Sequence, residues 1–284
     1  MRIRTSYQLG GLFVVLLCLQ YVHAEEVVRQ SRGLPEGMKN TQDARDVAES
    51  PRDSLARITV PEGFRVSLFA GEPDIAQPIA FTFDDRGRLW VVECYSHPEW
   101  QAEARDRVVI LEDTDNDGQF DQRTVFWDKG NYLSGIAVGH GGVFLCNTPN
   151  LIFIPDRDGD DRPDGEPQVL LDGWNRKNPH NVFNNLIFGP DGWLYGCVGQ
   201  RAESRIGRPG QPDEQRKTIS RGIWRYHPYD HEFEVVAIGA VNPWGLDFDQ
   251  HGQAFFSNCV LPHLWHLVPG AWYQRRKGER DNPY

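Results

Sequence analysis

The chain of 284 residues lacks any basic excess: 30 Lys and Arg stand against 40 Asp and Glu, a formal charge of −10. Without a run of Lys or Arg, neither nucleic acid nor an anionic membrane surface is an expected partner, because cationic side chains supply the affinity for both. No Cys-x-x-Cys-His occurs, which excludes covalent haem attachment within this chain. No apolar run reaches bilayer length either. The most apolar stretch, Leu9 to Val22, holds about 14 residues, short of the ~20 that a spanning helix needs.

That short run reads as a targeting signal. Arg2 and Arg4 form a basic start, Leu9 to Val22 an apolar middle, and Val22-His23-Ala24 a cleavage site. Cys18 follows Leu17 rather than a small residue, so it does not read as a lipoprotein site. Residues 1–24 are the expected signal peptide, and the mature chain is expected in the periplasm or outside the cell, with no direct insertion into the membrane. Losing the two positive charges of Arg2 and Arg4 takes the formal charge from −10 to −12. Residues 25–54 are polar and aperiodic, an expected solvated linker. From residue 55 to 284 the composition turns to Trp, Phe, Val and Gly.

Within that region a hydrophobic residue is followed four positions later by glycine and then by an apolar–aromatic run. The copies begin at Phe83, Val138, Phe188 and Phe248, with glycines at 87, 142, 192 and 252. Each copy predicts strand, tight turn, strand, and no helical period lies between copies. A supersecondary unit recurring at this interval marks β-propeller blades. The expected fold is all-β: a β-propeller with about four recognisable blades. Because no closing strand is recognisable before Tyr284, we expect part of a six-bladed propeller in a truncated chain. Cys94, Cys146, Cys197 and Cys259 each follow a repeat glycine at a similar place. Export permits disulfides, but neighbouring blades diverge and a bridge needs Cα atoms within ~7 Å. Buried free thiols are expected.

Two acidic loops resemble cation sites. In the first, Asp113, Asp115, Asp117 and Asp121 take positions 1, 3, 5 and 9, with Gly118 at position 6. Such alternation converges oxygens on one centre, as calcium requires. Thr124 stands where an EF-hand carries its bidentate glutamate, so the setting is a β loop. The second loop repeats the pattern with Asp156, Asp158, Asp160 and Asp164, but Asp161 replaces the glycine. Both loops are expected to bind Ca2+ and stiffen connections; a solvated acidic turn is the alternative.

The richest segment runs from Asn178 to Gly199. His180 stands just before a strand, where propeller loops line the active face. From spacing alone it is either a general base or a hydrogen-bonded structural histidine. His97 sits in a loop and could line a pocket. His227 and His231 read as turn residues, and His263 and His266 as hydrogen-bonded core residues. Trp90, Trp127, Trp193, Trp224 and Trp244 are expected mainly in blade cores, although aromatic faces also stack on sugars.

The pattern His180-x5-Leu186-x-Phe188-Gly189-Pro190-Asp191-Gly192-x-Leu194-Tyr195-x3-Gly199 resembles the catalytic-histidine segment of soluble quinoprotein glucose/sorbosone dehydrogenases. A closer resemblance is to the N-terminal domain of the planctomycete and verrucomicrobial proteins known as membrane-bound dehydrogenases. It rests on Val60-Pro61-Glu62-Gly63-Phe64, Gly87 to Glu93, Leu111 to Asp115, Asn242 to Asp247 and His263 to Gly270, and it covers Ser50 to Tyr284. These resemblances imply a propeller dehydrogenase with pyrroloquinoline quinone (PQQ) and calcium, acting on a sugar or related alcohol. They imply His180 as the base and Asn242 as a cofactor-binding residue, with a cytochrome or haem domain accepting electrons. The sequence departs from the pattern in three places, the first being a spacing from His180 to Leu186 one residue longer than in the quinoprotein enzymes. Val241 replaces the arginine that contacts the quinone, and Ser257-Asn258-Cys259-Val260 stands where Glu-x-Gly-Pro is expected. Two alternatives therefore stay open: a non-catalytic carbohydrate- or protein-binding propeller, and a calcium-dependent lactonase-type hydrolase.

Overall fold

The computed structural model describes residues 49–97, 104–199, 203–259, 261 and 263–274. The expected signal peptide and residues 25–48 of the expected linker lie outside the described residues. The chain divides into two compact units, Met1–Phe64 and Arg65–Tyr284. The described part of the first holds one short helix, α1 (Pro51–Leu55). Ser50 caps it, its Oγ accepting from Asp53 N at 3.2 Å, and Pro51 opens it, where an absent N–H leaves no bond unmade.

The second unit is a four-bladed β-propeller. Blade one is the antiparallel meander β1 (Pro78–Phe83), β2 (Leu89–Glu93), β3 (Asp106–Glu112) and β4 (Gln122–Gly130). Blade two repeats it with β5 (Leu133–Val138), β6 (Gly142–Asn147), β7 (Asn150–Pro155) and β8 (Gln168–Leu171). Blade three opens with β9 (Phe183–Phe188) and β10 (Leu194–Val198), then detours through the hairpin β11 (Ser204–Ile206) and β12 (Lys217–Ile219). It resumes with β13 (Gly222–Tyr226) and β14 (Phe233–Gly239). Blade four is β15 (Asn242–Phe248), β16 (Ala254–Cys259) and β17 (Leu264–His266). Finally β18 (Trp272–Tyr273) pairs in parallel with β14.

The repeat glycines lie between the first two strands of each blade. In blades one, three and four the turns are closed by Phe83 with Leu89, Phe188 with Leu194, and Phe248 with Ala254. Gly87, Gly192 and Gly252 take φ of +78°, +80° and +75° there. Blade two departs from the expectation. Val138 pairs with Val143, one residue sooner, so the turn tightens onto His140 and Gly141 at φ +56° and +72°. Gly142 already belongs to β6, where an added Cβ would meet the Ile154 carbonyl oxygen at 2.3 Å.

Alternating apolar residues face neighbouring blades. Trp90, Ile110, Leu133 and Leu145 fill the space between blades one and two. Phe144, Trp174, Phe183 and Trp224 fill the next, Trp174 stacking on Phe183 with centroids 4.1 Å apart. Each buried side chain of this kind contributes about 1.5–3 kcal/mol. Of the five tryptophans expected in cores, Trp90, Trp127 and Trp224 are buried, whereas Trp193 and Trp244 are half-buried. Cys94, Cys146, Cys197 and Cys259 are free; the first three are buried and Cys259 is exposed.

Two polar clusters join blades one and two at opposite ends. At one end the Asp106 carboxylate, fully buried, accepts from Ser96 N (2.8 Å), Ser96 Oγ (2.6 Å) and Leu133 N (2.9 Å). At the other, Arg88 donates to Asp84 at 2.8 Å and to both oxygens of Asp161 at 2.6 and 2.8 Å. Burial opposes ionisation of Asp84, but hydrogen bonds from Trp90 and Arg88 outweigh it and hold its pKa below the usual 3.8. A lowered pKa contributes stability that is in place above 3.8 and is lost as pH falls through the folded value.

Two stability outcomes follow. Asp106→Ala strands three buried donors and should lower the unfolding free energy by about 3 kcal/mol, read from urea unfolding. Arg88→Met should cost about 3 kcal/mol near neutral pH, and its deficit should narrow as the unfolding series descends to about pH 3.

Candidate functional site

Antiparallel meanders place chemistry at two separate ends. The first strands of the blades stand side by side, β1 against β5, β5 against β9, and β9 against β15. Their starting ends gather residues far apart in sequence. His180 precedes β9, Tyr132 precedes β5, Asn242 opens β15, and His97 follows β2 as it returns to the same end. His97, Tyr132, Ser134, His180, Trp244 and Cys94 are among the residues that line one cavity of about 110 Å³.

The segment carrying His180 is held by its backbone. Asn178 Oδ1 accepts from His180 N at 3.2 Å, and Asn181 Nδ2 donates to His180 O at 2.7 Å. Tyr132 Oη donates to Pro179 O at 2.7 Å. Asn242 Nδ2 reaches the same His180 carbonyl at 3.4 Å, joining the two residues that the sequence singled out. Asn242 Oδ1 is buried without a hydrogen-bond partner among the described residues. Gly199 leaves it room: a Cβ there would stand 2.1 Å from that oxygen.

The imidazole of His180 makes no hydrogen bond among the described residues; its ring lies 5.7 Å from that of His97, edge to face. Burial, then the His180 charge, pushes the His97 pKa below 6.5, so His97 is neutral at pH 7. Burial, reinforced by Asp106, pushes the Cys94 thiol up to about 11, which removes it as a thiolate nucleophile. Burial likewise raises Tyr132 above its usual 10. The pocket therefore offers the neutral imidazole of His97 beside the ring of His180. Sequence reading singled out His180 and placed His97 in a loop; it missed Tyr132, Ser96 and Asp106, which position them. Their only sequence signal is their place beside strand ends.

The acidic loops lie at the opposite strand ends, in the β3–β4 and β7–β8 connections. The blades' strands therefore stand between them and His180. Ligand atoms of Asp113, Asp115 and Asp117 lie within 4.8 Å of one another, as do those of Asp156, Asp158 and Asp164. Both triads could hold a divalent cation. Asp121 instead closes its loop, accepting from Thr114 N at 2.7 Å and Thr114 Oγ1 at 2.8 Å. Asp160 accepts from Arg162 N at 3.0 Å. Asp161, at the position of the missing glycine, takes φ +67° and spends its carboxylate on Arg88 of blade one.

Other candidates fall elsewhere. His227 and His231 occupy the β13–β14 turn, as expected. His263 and His266 are exposed rather than core, because β17 is a short edge strand; His266 Nε2 meets Gln253 Oε1 at 2.9 Å. A larger groove of about 940 Å³ runs beside the β11–β12 hairpin, with Arg208 and Glu232 in its wall. Its Arg208 is spent on the carbonyls of Asp230 and His231, and the groove gathers no residue of the His180 site.

The fold is that of a β-propeller with a small cavity at one end of its blades. Its fold resembles that of the PQQ-bound aldose sugar dehydrogenase of Streptomyces coelicolor, with 19% identity and TM-score 0.51 over 72% of this chain and 64% of that one. The PQQ domain of pyranose dehydrogenase from Coprinopsis cinerea is similar at 17% identity and TM-score 0.50, over 70% of this chain and 47% of that one. The chain thus spans less than two thirds of either. No curated protein matches it. The chain belongs to the family described as "Domain of unknown function (DUF7133)", whose profile matches residues 50–283.

PQQ is a planar tricarboxylate. Trp244 and Tyr132 offer its rings aromatic neighbours, but no Arg or Lys is among the described residues that line the cavity. Val241, in the position of the quinone-contacting arginine, is buried. The described residues that line the cavity do not fit the charge of that cofactor.

Gly199→Ala should displace the Asn242 side chain and, through it, the His180 carbonyl. We expect a loss of about 1–3 kcal/mol in thermal unfolding together with a shifted His180 imidazole resonance.

Proposed function

We propose that the mature chain is an exported, dehydrogenase-like propeller module that acts on a hydroxyl group of a sugar or related alcohol. The observation that carries this reading is the His180 imidazole, without a hydrogen bond among the described residues, at a cavity lined by all four blades. His180 takes the hydroxyl proton as general base. Neutral His97, Ser134 and the rings of Tyr132 and Trp244 surround the ligand. The family resemblance implies PQQ as electron acceptor and a cytochrome beyond it; because the lining offers the quinone no counter-charge, no step is drawn through it. The acidic loops bind calcium and serve stability, since they lie at the opposite strand ends from His180.

A second reading is favoured by the same uncharged lining and by Val241: a propeller that binds a sugar without turning it over. Dye reduction with aldoses and alditols, with and without added PQQ and calcium, separates the two. His180→Ala should lower kcat/KM by about 10²–10⁴-fold at unchanged thermal midpoint; equal rates in mutant and parent would remove His180 from the chemistry. Calcium-dependent, saturable PQQ absorbance changes would bring the quinone into the site, and their absence in a folded chain would favour the binding module.

Calcium at a hundred times its Kd should stabilise the chain by about 2.7 kcal/mol per loop site. Chelation should reverse the gain, and Asp113→Asn combined with Asp117→Asn should remove the share of the first loop, as read by calorimetry.

A further inference from the structure

We infer that His97 and His180 form a two-imidazole binding site for a divalent transition metal of the zinc class, separate from the acidic loops.

The two imidazoles come from different blades, one after β2 and one before β9, and their rings meet edge to face with centroids 5.7 Å apart. Neither ring makes a hydrogen bond among the described residues, so each keeps a nitrogen lone pair for a metal. The separation suits a shared ion. With metal–nitrogen bonds of ~2.0–2.1 Å and ~1.1 Å more to each ring centre, two imidazoles on one ion hold their centroids ~5.2 Å apart at a tetrahedral angle and ~6.4 Å apart in line. An ion so bound sits at the corner where the ring edges meet and needs no gap between ring faces. Both side chains are exposed, and the last torsion of histidine is broad, so a ring turns its nitrogen to that corner at little cost. The adjoining cavity of about 110 Å³ has room for the waters that complete the coordination.

The backbone beneath each ring is fixed before an ion arrives. Ser96, the residue before His97, is pinned by two hydrogen bonds to buried Asp106 and accepts from Tyr132 N at 2.7 Å. Tyr132 Oη then holds the carbonyl of Pro179, the residue before His180, and Asn181 Nδ2 holds that of His180 itself. Segments ordered in advance cost the ion little on binding.

The ligand atoms set the class of ion. Imidazole nitrogens suit zinc, copper and nickel, whereas calcium takes about six to eight oxygens. No carboxylate is among the described residues that line the cavity, and both acidic loops lie at the opposite strand ends. The two ends of the blades therefore select different metals. A coordinated nitrogen has no lone pair left for a proton, so an ion here blocks the base; that consequence alone rests on the proposed role of His180.

The test uses the full mature chain in excess calcium, which fills the acidic loops, with zinc chloride as the probe. Calorimetry reads zinc affinity, and NMR follows the imidazole resonances of His97 and His180. Zinc should shift both resonances in one saturable step. His97→Gln and His180→Gln should each weaken that step by at least about tenfold, since even outer-shell changes at metal sites cost about 10–100-fold, at unchanged thermal midpoint without zinc. Shifts at one histidine alone, or zinc binding to either variant as to the parent, would overturn the site. Displacement of zinc by further calcium would overturn the metal class. No sugar, quinone or dye is present, so failure here leaves the proposed function standing. Zinc held by both histidines with dye reduction unchanged would instead remove His180 as the base and leave the metal site standing.

Discussion

A single buried carboxylate, Asp106, organises the end of the molecule where ligands would arrive. Sealed from water, it is satisfied only if Ser96 and Leu133 bring their donors to it. Leaving such donors unpaired in a low-dielectric interior costs more than any one hydrogen bond returns, so the arrangement admits one geometry. That geometry fixes Ser96, just after β2, against the start of β5. From there it passes through Tyr132 to the backbone beside His180. Blade packing is permissive by comparison, because apolar contacts tolerate small slides that a hydrogen-bonded carboxylate does not.

The same antiparallel topology that gathers the histidines sends the acidic loops away from them. Successive connections of a meander alternate between the two ends of a blade, so the β3–β4 and β7–β8 loops emerge opposite His180. There Arg88 and Asp161 tie blade two to blade one. The ends thus divide their work: one is held by ion pairs and acidic turns, while the other sets two imidazoles, without hydrogen bonds among the described residues, beside one cavity.

Much of this was legible in the residues. The spaced glycine turns gave the blades, and the one-per-blade cysteines fell on the second strand of blades two to four and just past it in blade one, all of them free and three of them buried. The blade-two turn was misread by one residue because Gly139, Gly141 and Gly142 offer three glycines to one pattern, and only the register of Val138 with Val143 selects the bend at His140-Gly141. His263 and His266 were expected in the core from their apolar neighbours, but an edge strand leaves them exposed. Asp161 looked like a flaw in a cation loop until Arg88, remote in sequence, supplied its reason.

Local chemistry is written along the chain. Turn glycines, β-branched and aromatic runs and alternating aspartates act on neighbours a few residues away, and so the sequence by itself determined strands, turns and acidic loops. Which residues meet across blades is decided by the side-by-side packing of the sheets. That packing brings His97 to His180, Asn242 to the His180 carbonyl and Asp106 to Leu133. Such contacts join positions tens of residues apart through registers and packing that no local pattern encodes, and for that reason the pocket belongs to the tertiary structure alone.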